Sequence, residues 1–253
     1  MDWGVAILLA LAGVAGGIIN AVAGGATLVT FPVMLAAGLP PVVANASNAV
    51  AISPGHLIAA FADRAKLPPL DRHLATALGV ALAGGVLGAL LLRALPDRLF
   101  VLPVPALIGF ATLLFAFAPH IQAWTERRRG GAAPSRTAGL GVLAGASVYG
   151  GFFGAGLGVI LTAVLSIAEP NDIRKVKVLK NLLAAAVSLA AIVTFISQGM
   201  VRWPETLAML AGALFGGYAG GVLVRILPGR LVQRSVILAG AVMTVVYAWR
   251  YWF

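Results

Sequence analysis

A few asparagine, serine, threonine and lysine side chains stand in this chain where nearly everything around them is apolar. Asn20, Thr27, Thr30, Asn45, Ser47 and Asn48 punctuate the first long apolar stretch, and Lys180 and Asn181 open a later one. Amides and hydroxyls donate hydrogen bonds without carrying charge, an ammonium adds one positive charge, and the Gly24-Gly25 pair loosens the backbone so that its N–H groups become donors too. That set suits a small anion. A cation in a low-dielectric pocket calls for carboxylates or many carbonyls. The eight carboxylates, Asp2, Asp63, Asp71, Asp97, Glu126, Glu169, Asp172 and Glu205, all fall at or beyond the ends of apolar runs.

Other chemistries find less support. His56, after Pro54-Gly55 inside an apolar run, is a candidate proton relay near neutral pH, and equally a hydrogen-bonded packing residue. His73 and His120 sit at segment ends, so no metal-ligand spacing exists, and with no cysteine there is neither a disulfide nor a thiolate site. The glycines of YGGFFGAGLG (149 to 158) lack the strand-helix-strand context of a dinucleotide fingerprint. No nucleophile-base arrangement or phosphate-cradling loop is present, so the chain is not expected to be an enzyme or to need a cofactor.

The elements that position these residues follow from hydropathy. The chain has 253 residues, 60% hydrophobic and 10% charged, with a mean hydropathy of +0.99. That is the profile of a polytopic membrane protein, not a soluble domain. The net charge of +10 then reads as basic loops and not as nucleic-acid binding. Apolar runs cover 3–37, 42–62, 74–93 and 99–118, then, after the basic connector TERRRGGAAPSR, 138–168, 177–198, 206–225 and 232–252. A span needs about 20 helical residues. The first run of each half is too long for one span and is expected to break, in the first half at Gly24-Gly25 and Pro32. Backbone freed at such a break must be buried in protein or line a cavity. The N-terminus has no basic region and is not read as a cleaved signal.

The halves repeat. Gly84-Gly85 to Gly88 and the loop Leu95-Pro96-Asp97-Arg98-Leu99 match Gly216-Gly217 to Gly220 and Leu227-Pro228-Gly229-Arg230-Leu231 at an offset of 132, and Gly16-Gly17 matches Gly150-Gly151 at 134. Asn48 then falls opposite Lys180-Asn181. If both first runs return as hairpins, fourteen Lys and Arg residues share one side and four the other; single crossings would split them eight to ten. The positive-inside bias selects the hairpins. The expected fold is an all-α integral membrane protein of two inverted-topology repeats, each a broken helical hairpin plus three transmembrane helices, over 1–120 and 138–253 with a cytoplasmic linker at 121–137. Both termini would be non-cytoplasmic, with Trp3, Trp124, Trp203, Trp249 and Trp252 as interfacial anchors.

AGGATLVTFPVMLAAGLPPVVANASNAVA (23 to 51) resembles the signature of the sulfite exporter TauE/SafE family, with its glycine-rich break, Pro, Gly-Leu-Pro-Pro and Ala-Asn-x-Thr-Asn run. VLKNLLAA (178 to 185) and GMVRWPE (199 to 205) are similar to the family's repeat, while Ala26 and Ser47 replace its usual glycine and threonine. The resemblance implies a multi-pass permease of the bacterial inner membrane that exports sulfite, sulfonates or related organic anions. Small anion and lipid are its expected partners, with a homodimer left open. From the residues, the substrate-binding set is Asn20, Gly24, Gly25, Thr27, Asn45, Ser47, Asn48, Lys180 and Asn181. A non-transporting scaffold and an anion channel are the competing readings.

Overall fold

The computed structural model describes residues 1–22, 25–62, 64–127, 136–168, 172–223 and 229–253. Gly24, Asp63, Arg128, Arg129, Glu169, Arg225 and most of the connector lie outside the described residues.

Both over-long runs break where glycine permits. Helix α1 (Trp3–Val22) is about 30 Å long, enough to cross a bilayer, whereas α2 (Thr27–Ala36) spans about half that. Between them Gly25 takes φ +84°, a left-handed turn open to glycine without steric cost. In the second half α8 (Arg136–Phe152) ends at Gly154 and Gly156, with φ +76° and +81°, before the short α9 (Leu157–Ala168). The Tyr149 hydroxyl donates to the Ala155 carbonyl at 2.6 Å, satisfying backbone that this turn removes from helical pairing.

Pro32 does not break the chain. It lies buried in the second turn of α2, and its carbonyl accepts a 2.8 Å hydrogen bond from Tyr247. The run expected as one span over 42–62 is instead two helices, α3 (Pro41–Ile52) and α4 (Pro54–Ala62). Pro54 lacks the N–H that would have paired with Val50, and the chain bends at Ser53. The remaining helices are α5 (Arg72–Ala94), the short α6 (Asp97–Val101), α7 (Val104–Arg127), α10 (Ile173–Ser197), α11 (Trp203–Leu223) and α12 (Gly229–Trp252). Among the described residues there is no strand, and five helices are long and apolar enough to cross a membrane: α1, α5, α7, α10 and α12. The tryptophans are exposed and lie at helix ends, Trp3 and Trp203 opening α1 and α11 and Trp124, Trp249 and Trp252 in the last turns of α7 and α12.

The halves interlock. Helix α1 packs along α11, and α5 along α8. A Cβ on Gly17 would run into the Ala213 carbonyl and stand 2.5 Å from the Gly217 amide; one on Gly88 would meet the Val148 carbonyl and the Phe152 amide, the latter at 2.6 Å. Residue numbers rise together along both contacts, so each pair is parallel. Gly85 against Gly151 corresponds to Gly217 against Gly17 under the two sequence offsets. In lipid the driving force is close backbone approach, which small residues allow. Phe31 of α2 meets Phe153 of the second break edge-on, with centroids 5.3 Å apart, so the two hairpins touch at the centre. Leu8, Leu11, Leu87, Val193, Leu214 and Val245 face outward, as lipid-exposed side chains do.

Outside the apolar spans, Asp71 caps α5 by accepting from the Leu74 N–H at 2.8 Å, and that bond holds its carboxyl below the usual range. Because the folded pKa is depressed, the stabilisation is present above the unfolded value of about 4 and is lost as pH falls through the folded value. Asp71→Ala is therefore expected to lower thermal stability in detergent at pH 7 and to lose that deficit relative to wild type in strongly acidic buffer. Asp71→Asn, which retains a capping oxygen, should behave close to wild type at pH 7.

Candidate functional site

The two breaks open onto one cavity of about 650 Å³, within the range of ligand pockets. Asn20 comes from the last turn of α1, Gly25 and Thr27 from the first break, His56 from α4, Gly154 to Val159 from the second break, and Lys180 and Asn181 from α10. The first turns of α2 and α9 both contribute, so the positive ends of two helix dipoles border the space, while the Leu28, Val29, Thr30, Leu157, Val159 and Ile160 N–H groups are held by the carbonyls of Gly25, Ala26, Gly154 and Gly156. Lys177, Lys180 and Arg230 line it, and among the described lining residues there is no carboxylate. Lys180 lies near enough for its charge to act on the His56 ring. The cavity opens where α7 ends and α10 and α12 begin, beside exposed Pro119, Lys177 and Arg230.

Local packing fixes several of these groups. Gly55 lets the Asn20 amide reach across from α1 to α4, since a Cβ there would stand 2.6 Å from Nδ2. At Gly25 a Cβ would lie 2.6 Å from the Phe115 ring, in a left-handed backbone. Gly25→Ala should therefore cost about 1–3 kcal/mol of stability, read as a lower thermal midpoint in detergent. An unchanged midpoint would mean that the turn has another conformation.

A second, smaller chamber of about 40 Å³ adjoins the cavity, sharing Thr27, Ile52, His56, Gly154 and Leu157 with it. Asn45 and Asn48 line this chamber. Asn45 was expected to offer amide donors to an anion, but its Nδ2 already donates to the Phe152 carbonyl at 2.8 Å. Asn45 Oδ1 and Asn48 Oδ1 are buried and accept from no described protein group. Ser47 lines neither space; its Oγ accepts from the Arg202 N–H at 3.0 Å and ties α3 to the start of α11. The structure thus gathers Asn20, Gly25, Thr27, His56, Lys180 and Asn181 around the cavity, sets Asn45 and Asn48 in the chamber, and leaves Gly24 outside the described residues.

Thr162, Lys177, Arg230 and Gln233 also line the cavity and were not among the expected site residues. Gln233 was legible in principle. Pro119 inside α7 leaves the Phe115 carbonyl without its helical donor, and Gln233 Nε2 supplies one at 2.9 Å. Glu205 proves buried although it lies at a run's end, with Arg202 3.7 Å away.

Short broken helices around a basic, solvent-open cavity in an all-helical membrane protein are the architecture of secondary transporters. The chain belongs to the family described as "Sulfite exporter TauE/SafE", whose model matches residues 9–247. It is 27% identical over 246 residues to a "Probable membrane transporter protein" of Haemophilus influenzae, covering 96% of this chain and 95% of that one. It is 28% identical over 232 residues to the "Probable membrane transporter protein YfcA" of Escherichia coli K12, covering 90% and 84%. To the "Probable membrane transporter protein ORF9" of a Sinorhizobium species it is 24% identical, covering 90% and 87%. No solved structure matches the chain. This is a multi-pass helical membrane transporter of the TauE/SafE type.

Proposed function

We propose that the protein exports small sulfur-containing or organic anions, such as sulfite or sulfonates, across the bacterial inner membrane by alternating access. The observation that carries this reading is the cavity between the two breaks, lined by Lys180, Asn20, Asn181 and Thr27 and by the first turns of α2 and α9. Donors without carboxylates favour an anion over a cation there, and neutral amides beside few cations permit both loading and release. The family description names sulfite export, which narrows the anion class.

The positive-inside bias puts the cavity mouth, with Lys177 and Arg230, on the cytoplasmic side, where an exporter loads. On this reading the halves are inverted repeats, with both termini outside, and the Phe31–Phe153 contact between the hairpins closes the far side. The rigid bodies are the glycine-packed pairs α1·α11 and α5·α8, each drawing one helix from each repeat. Access alternates by relative movement within this two-repeat frame.

The test is counterflow of labelled sulfite and of small organosulfonates into sealed vesicles carrying the purified protein. Saturable, trans-stimulated uptake supports the reading and ranks the substrates. Non-saturating conductance would replace it with a channel, and absence of flux from well-folded protein with a scaffold.

A further inference from the structure

The 40 Å³ chamber adds unpartnered acceptors to walls that it shares with the cavity beside it. Asn45 and Asn48 are 2% and 1% exposed, and the Oδ1 of each is buried without a hydrogen-bond donor from the described protein. The amide of Asn45 is oriented by its Nδ2 bond to Phe152, so the atom left over is an acceptor. Hydroxyl-bearing Thr27, Ser53 and Ser188 also line the chamber. Helix C-termini converge here: α3 ends at Ile52 with Ser53 in the lining, and α8 ends at Phe152, bonded to Asn45 and followed by Phe153 and Gly154 in the lining. Their carbonyls bring the negative end of two helix dipoles, while Thr27 and Leu157, which open α2 and α9, bring two positive ends to the same walls. A buried carbonyl oxygen without a partner is costly, and two on residues that line one small space call for an occupant that accepts electron density from both. The volume admits a water-sized occupant or a dehydrated monovalent ion and excludes an organic anion.

We propose that this chamber binds one sodium-sized monovalent cation, held by the side-chain carbonyl oxygens of Asn45 and Asn48 with hydroxyls of the lining completing the shell. Neutral oxygens and half-helix C-termini are sufficient ligands for such an ion at membrane depth. Thr27, His56 and Gly154 belong to both spaces, so a cation here and an anion in the larger cavity stabilise each other through shared walls. The site predicts coupling of anion movement to a sodium gradient.

The binding test needs no transported anion. Purified protein in detergent is equilibrated with radiolabelled sodium as the gluconate salt, with N-methylglucamine gluconate holding ionic strength, and bound ion is measured. Saturable binding of about one ion per chain is expected, with potassium competing at least ~10-fold more weakly. Asn48→Ala should weaken binding by about tenfold or more and Ser188→Ala to a smaller extent, while exposed Ser235→Ala on α12 leaves it unchanged. Gel filtration and thermal melts confirm folding of each variant. Absence of saturable sodium binding to folded wild-type protein, equal competition by potassium, or full affinity in folded Asn48→Ala each overturns the site and leaves an ordered water as its occupant. These outcomes are separate from the anion reading: counterflow that runs without sodium keeps that reading and removes this one, and sodium binding without anion flux does the reverse.

Discussion

Replacing Lys180 by methionine is expected to raise the half-saturation concentration for anion counterflow by roughly 10- to 100-fold, corresponding to loss of about 1.5–3 kcal/mol of charged hydrogen bonding. Methionine keeps the length and apolar stem of the side chain, so the change removes charge and donors more than packing. Lys180 lies about two turns into α10, past the exposed Arg174 and Lys177, where it lines the cavity with Asn181. Position there means that its charge is screened less than that of a surface lysine. Lys180→Arg retains the charge and should recover much of the affinity. The discriminating measurement is the concentration dependence of exchange in sealed vesicles, with folding of each variant established by gel filtration. Unchanged half-saturation in Lys180→Met would remove this residue from the proposed site, and with it the sole strong cation that α10 brings to the interior of the cavity beyond its mouth.

A large stability effect is expected at Gly88, one of several glycines whose Cβ would run into the backbone of a facing helix. A Cβ at that position meets backbone on α8 from two sides, the Val148 carbonyl and the Phe152 amide. Neither can rotate away as a side chain would, so Gly88→Ala must push α5 and α8 apart along their whole contact. The cost should reach about 3 kcal/mol or more, at the upper end of overpacking. The same substitution at Gly79 in the same helix meets nothing within 4 Å. It should therefore leave stability level or slightly raised, alanine being the better helix former. Thermal aggregation profiles in detergent distinguish the two, and equal profiles would show that α5 and α8 do not approach as described.

Much of this arrangement could be read from residue order, and the rest had physical reasons for staying hidden. Gly25 announced the break after α1 because no other residue takes φ near +80° so readily. Pro32 misled because its effect depends on where its helix begins; with α2 starting at Thr27, it sits only two turns in, packed under Tyr247. Ser53-Pro54-Gly55 carried a bend signal that hydropathy alone smoothed over. Spacing already separated the NASN residues: Asn45 and Asn48 are three apart and share a helix face, whereas Ser47, two from Asn45, turns elsewhere. Its bond to Arg202 follows from that geometry. The use of the Asn45 donors could not be read, because Phe152 lies more than a hundred residues away.

The cross-pairing of α1 with α11 also bears on the order in which the molecule is made. Helix α1 leaves the ribosome before its glycine-faced partner, which follows about 180 residues later, a delay of roughly 10 to 35 s at ordinary elongation rates. Throughout that interval the groove at Gly13 and Gly17 lacks its α11 neighbour and must be covered by lipid or by the insertion machinery. The C-terminal half is thus required to finish the N-terminal half, and a ribosome halted before α11 leaves a nascent chain in which α1 is inserted but not yet seated.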